Sequence, residues 1–132
     1  MAVTNVQEEV RAVLDQMIDA QNAGDGERFR PMLSNRPDAV FIGTDPDEWW
    51  TSKQVVDAIA GSPSGDMTVA VDDIGVHALG DVAWAEGHGR FKASDGNERP
   101  VRVTGVLVRE DGQWKVVQLH ASIAVPNEQI FS

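Results

Sequence analysis

Glu86, His88, Arg102, His120 and Ser122 are the residues of this chain whose types could do chemistry together. Glu86 and His88 alternate in "AWAEGHGR", and His120 and Ser122 alternate in "LHAS". On strands, each pair therefore points to one face. Two imidazoles and a carboxylate could hold a divalent cation or pass a proton. A hydrolase triad on Ser122 lacks its oxyanion turn. His77 stands near a strand end, where an exposed or locally bonded imidazole is expected. A second acidic group sits in "FIGTDPDEWWTS", where Asp45 and Glu48 precede the adjacent Trp49 and Trp50. Either carboxylate is a candidate catalytic base if desolvated. The competing reading is a solvated acidic loop, in which Asp47 favours the N-terminus of the following helix. No phosphate cradle is present, because neither GxGxxG nor GxxxxGK[ST] occurs. The absence of cysteine removes disulfides, thiolate nucleophiles and cysteine-based zinc sites. No metal site or cofactor is expected.

The elements that must position these groups are readable from periodicity. Val6, Val10, Val13, Leu14, Met17 and Ile18 recur at helical spacing, with Thr4 and Gln7 placed as a capping box and Gly24 as terminator. Asp25 can cap a short second helix burying Phe29, Met32 and Leu33, which Pro31 should bend. "DAVFIG" reads as a strand, and Thr51 with Gln54 caps a third helix that Gly61 closes. Trp49 and Trp50 thus lie at a strand-to-helix junction. From Met67 the pattern changes to strands separated by "LGD", "SDGN" and "EDG". A phase change across Asp72 and Asp73 marks a β-bulge. Helices followed by a meander indicate an α+β domain, with the helices packed on one sheet face.

Alternation sorts the last strands into two faces. A three-residue loop, Glu110 to Gly112 with Gly112 left-handed, would pair odd positions with odd ones. One face then carries Phe91, Gly105 and Leu119 among small apolar residues. The other carries Trp84, His88, Arg102, Thr104, Trp114, Gln118, His120 and Ser122. The first should lie under the helices. The second is aromatic and polar, the composition of an interface more than of a buried site.

The chain has 132 residues and a formal charge of −10, one domain's worth of sequence with the wrong sign for phosphate backbones or anionic lipid. Nucleic acid and membrane are not expected partners. "MAVTNVQEEV" has no apolar signal core and no run approaches the roughly 20 apolar residues of a membrane span, so a cytoplasmic location is the simplest expectation.

"VFIGTDPDEWW", the capped third helix, "GDVAWAEGHGRF" and above all "DGQWKVVQLHAS" together resemble the nuclear transport factor 2-like superfamily, specifically its SnoaL-like branch. The likeness also extends to ketosteroid isomerase and to the association domain of calcium/calmodulin-dependent kinase, and covers residues 1–132 as a single domain. The resemblance implies a cone: N-terminal helices packed on a curved antiparallel or mixed sheet, a pocket inside, and homodimers through the outer sheet face. A small hydrophobic ligand in that pocket would touch Phe29, Trp49, Trp50, Phe91, Gly105 and Leu119. Trp49 and Trp50 are adjacent, so one should face the pocket and the other should not. The dimer would use Trp84, His88, Arg102, Thr104, Trp114, Gln118, His120 and Ser122. The superfamily includes isomerases, cyclases, hydrolases and non-catalytic association modules, so the fold does not select a reaction. The isomerase pattern needs a carboxylate base and an oxyanion donor, commonly tyrosine. This chain has no tyrosine.

Overall fold

The structure, a computed structural model, describes residues 5–62 and 67–131. Helix α1 (Val6–Asn22) buries the stripe Val10, Leu14, Met17 and Ala20. Thr4 lies outside the described residues. Asn5 takes the cap, its side chain accepting from the Glu8 N–H at 2.8 Å. Gly24, at φ 65°, ends the helical run. Helix α2 (Gly26–Phe29) is capped by Asp25 and continues into a 3-10 turn over Arg30–Met32, where Pro31 has no N–H to give. Strand β1 (Val40–Ile42) and the two-residue β2 (Trp49–Trp50) form a hairpin. Helix α3 (Ser52–Ala60) follows, with the expected Thr51–Gln54 capping box in place. Gly26 lets α2 approach α3, since a Cβ there would lie 2.9 Å from the Val56 carbonyl oxygen.

Four long strands complete the sheet: β3 (Met67–Leu79), β4 (Val82–Ala93), β5 (Glu98–Glu110) and β6 (Gln113–Ser122). A short exposed helix, α4 (Asn127–Ile130), ends the described chain. The sheet runs β2-β1-β6-β5-β4-β3, with β1 parallel to β6 and every other pair antiparallel. The fold is α+β, with helices on one face of a mixed sheet. Val10, Leu14, Phe29, Phe41, Leu107 and Val116 form the centre of the core between them.

β3 is an edge strand, and unpaired edge groups invite pairing with another chain. Polar side chains of α1 occupy them. Asn22 both donates to the Val69 carbonyl and accepts from the Val69 N–H, each at 2.9 Å, in the manner of a neighbouring strand. Arg11 donates to the Ile74 carbonyl at 2.8 Å and Gln7 to the Val76 carbonyl at 3.2 Å.

The expected bulge in β3 falls between Val71 and Asp73. Its extra backbone pushes toward β4, where Gly87 and Gly89 leave room. A Cβ on Gly87 would lie 2.9 Å from the Asp73 carbonyl oxygen, and one on Gly89 would run into the Ala70 carbonyl. These glycines accommodate the bulge, which bends the sheet.

The "EDG" connection differs from the expected three-residue loop. Glu110 pairs with Gln113, leaving Asp111 and Gly112 as a two-residue turn with φ 52° and 77°. Such a turn matches the twist of the flanking strands. Leu107 consequently pairs with Val116 and Arg109 with Trp114; a bulge at Val117 then restores Val106 to Gln118 and Thr104 to His120. The correction moves Trp114 and Val116 from the outer face to the core, where they are 5% and 0% exposed. Trp114 Nε1 donates to Glu9 Oε2 on α1 at 3.1 Å, and the Arg109 guanidinium covers the indole ring at 4.6 Å. Trp114 is thus spent on holding α1 to the sheet and is removed from the set of interface candidates.

Candidate ligand-binding cavity

Between the helical layer and the inner sheet face lies a cavity of about 180 Å³, partly open to solvent. Its walls come from every layer of the fold: Leu14 and Met17 of α1, Phe29 of α2, Phe41 of β1, Trp50 of β2, Val55 and Ile59 of α3, and Phe91, Val101 and Leu119 of the long strands. Each reaches it by the period of its own element, three and four apart on helices and alternate on strands.

Four of the expected contact residues, Phe29, Trp50, Phe91 and Leu119, line this space. Trp49 and Gly105 are not among its lining residues. Phe41 pairs with Trp50 and Ile42 with Trp49, and this pairing sets the phase of β2. Trp50 packs against the core, while Trp49 is 68% exposed. At Gly105, Leu119 occupies the space a side chain would need: a Cβ there would meet Leu119 Cδ1 at 3.3 Å.

The two acidic candidates also separate. Asp45 is exposed and its carboxylate accepts from the Asp47 N–H at 3.1 Å, a turn within the loop. Glu48 is half-buried and lines the cavity. Its Oε1 accepts from the Asp45 N–H at 2.8 Å, while its backbone oxygen takes the Gly43 N–H at 2.9 Å. Thr44 and Gln21 are further polar lining residues that the sequence pattern did not mark. Gln21 follows Leu14, Met17 and Ile18 on the helical stripe, which is the one signal that could have placed it. No lysine, arginine or histidine lines the cavity. The Arg36–Asp38 pair lies outside the lining. Its side-chain hydrogen bond, doubled at 2.9 Å, holds the Asp38 carboxyl below its ordinary value and the Arg36 guanidinium above.

On the opposite sheet face, cross-strand pairing aligns His88 with Arg102 and Ser122, Glu86 with Thr104 and His120, and Trp84 with Val106 and Gln118. Trp84 is 42% exposed. The Glu86 carboxylate is engaged by His77 Nε2 at 2.8 and 3.1 Å, and the His77 ring packs beside Trp84 at 5.7 Å. Among the described residues, no group of three or more histidines, cysteines or acids is placed to hold a metal ion. None of their helices is long and apolar enough to cross a membrane.

Helices on one face of a bulged, mixed sheet, with an apolar cavity between the layers, define an α+β protein of the nuclear transport factor 2-like, or cystatin-like, fold. The chain belongs to the SnoaL-like domain family, whose pattern matches residues 10–126. Solved structures agree over nearly the whole chain. A nuclear transport factor 2-like protein of unknown function from Pseudomonas putida KT2440 superposes with a TM-score of 0.80 at 22% identity, over 93% of this chain and 89% of that one. A nuclear transport factor 2-like protein from Cytophaga hutchinsonii gives 0.76 at 18% identity, over 92% and 100%. An uncharacterised cystatin-like-fold protein from Caulobacter vibrioides gives 0.74 at 19%, over 95% and 94%. No curated protein matches the chain by sequence. At these identities the likeness carries the fold and not an activity.

Proposed function

We propose that this SnoaL-like domain binds a small, largely hydrophobic molecule in the cavity between its helices and its sheet. The observation that supports this is the about 180 Å³ of apolar space walled by Phe29, Phe41 and Trp50. A core built only for stability closes such space, because unfilled volume costs stability. A single ring burying roughly 150 Å² at about 25 cal/mol per Å² gains about 4 kcal/mol before association costs, so binding no tighter than the millimolar range is expected for simple probes. Titration of toluene and cyclohexanol, followed by tryptophan fluorescence, tests the reading. The response should persist in Trp49→Phe and be lost in Trp50→Phe. A response that survives Trp50→Phe would remove this cavity from the site.

A second reading, association of two copies through the outer sheet face, is supported by Trp84. A tryptophan 42% exposed on the same sheet face as Arg102, Gln118 and His120 gives that face the composition of an interface. The two readings are compatible, since the cavity and the outer face lie on opposite sides of one sheet. Isomerase, cyclase or hydrolase chemistry would fall to Glu48, the loop carboxylate that lines the cavity, since the Glu86 carboxylate is engaged by His77.

A further inference from the structure

The polar end of the cavity has a definite chemistry, and the inference drawn from it rests on the ligand-binding reading above. We propose that the cavity selects compact, single-ring-sized apolar molecules carrying a hydroxyl or an amine, and rejects the corresponding carboxylates, with Glu48 as the discriminating residue.

Size comes first. A cavity of about 150 Å³ holds one benzene, so about 180 Å³ accommodates roughly six to ten non-hydrogen atoms. A fused polycyclic molecule would have to extend out through the open side of the cavity. Charge comes second. Among the described residues, the titratable side chains in the lining are Glu48 and Glu86, and no cationic side chain accompanies them. Glu86 is held by His77 on the other side of the sheet, which leaves Glu48 to meet a ligand. An anion entering this space would be desolvated against a carboxylate with no counter-charge, in a chain of formal charge −10. A hydroxyl or ammonium would instead donate to it, and charge-assisted hydrogen bonds are the strong ones.

Hydrogen-bond capacity comes third. Oε1 of Glu48 is taken by the Asp45 N–H. Among the described residues, no protein hydrogen-bond partner is found for its Oε2, for the Thr44 hydroxyl or for the exposed Gln21 amide; none of these atoms is both buried and unsatisfied, so a ligand would replace solvent at them. The carboxylate is also placed by construction. Gly43 lies beneath it, and a Cβ at that position would sit 2.9 Å from Glu48 Cδ and 3.0 Å from Glu48 Cβ. Gly43 is therefore a positioning residue: any side chain there would push Glu48 off the strand end.

The experiment uses three probes that differ in one group, cyclohexanol, cyclohexylamine and cyclohexanecarboxylate, titrated by heteronuclear NMR at pH 7 into native protein and Glu48→Gln. Glutamine keeps an oxygen for the Asp45 N–H, so the loop is retained while the charge is removed. Native protein should bind the alcohol and the amine at least about tenfold more tightly than the carboxylate. In Glu48→Gln the ratio of amine to carboxylate affinity should shrink by about tenfold or more. An unchanged ratio would overturn the assignment, because any remaining discrimination would then come from the overall charge of the chain. Binding of the alcohol with that unchanged ratio leaves the cavity as a ligand site and removes only Glu48's role. If none of the three binds, the ligand-binding reading falls and this inference falls with it.

Discussion

Trp84 and Trp114 illustrate how one register step decides what a residue is for. Both stand on long strands and both look like interface tryptophans by alternation, yet Trp114 is buried with its indole N–H bound to Glu9 and its ring under Arg109. Trp114→Ala should therefore lower unfolding free energy by about 3–5 kcal/mol, the range for emptying a large aromatic site. Trp114→Phe, which keeps most of the volume but loses the donor and part of the cation–π contact, should cost about 1–2 kcal/mol. Urea midpoints measure both. A Trp114→Ala protein as stable as native would place the residue at the surface instead.

At the scale of elements, the edge of β3 shows how local chemistry organises the fold. Asn22 returns both hydrogen bonds that a further strand would make to Val69. Asn22→Ala leaves those groups to compete for water, with an expected loss of about 1–3 kcal/mol and faster hydrogen exchange at the Val69 amide than at amides of β5. Equal protection in variant and native protein would contradict this. Elements of this kind were legible where the signal is local to its own backbone: the Thr51–Gln54 box, the Asp25 cap, the glycines within "LGD" and "SDGN", and the phase change at Asp72. The bulge at Val117 was not legible. Val116 and Val117 are chemically identical neighbours, so alternation alone cannot say which one faces the core. A three-residue loop and a two-residue turn plus a bulge leave the far half of β6 in the same phase. Only the four residues between turn and bulge, Gln113 to Val116, change sides, and Trp114 and Val116 thereby enter the core. The site was legible to the same depth. Phe29, Trp50, Phe91 and Leu119 follow from apolarity and period, whereas Gln21, which stays exposed, and the half-buried Thr44 join the lining only once the sheet is placed against the helices. The choice between Trp49 and Trp50 rests on pairing with β1, which a two-residue strand cannot announce.

At the scale of the whole molecule, the two proposed functions fall on opposite faces of the sheet and can be tested independently. The outer face presents Trp84 among His77, His88, Arg102 and His120. If two copies associate there, sedimentation at micromolar concentration should give a dimer for native protein and a monomer for Trp84→Asp, with the urea midpoint of the isolated fold little changed. A native monomer would set the association reading aside without touching the cavity. The inner face makes the central claim, that about 180 Å³ walled by Phe29, Phe41, Trp50 and Leu119 is a ligand site. Its most direct test is a crystal soaked with iodobenzene and measured for anomalous scattering. An iodine peak is expected inside that space, within van der Waals contact of Trp50. Walls closed on one another, with iodine bound only at the surface, would contradict it.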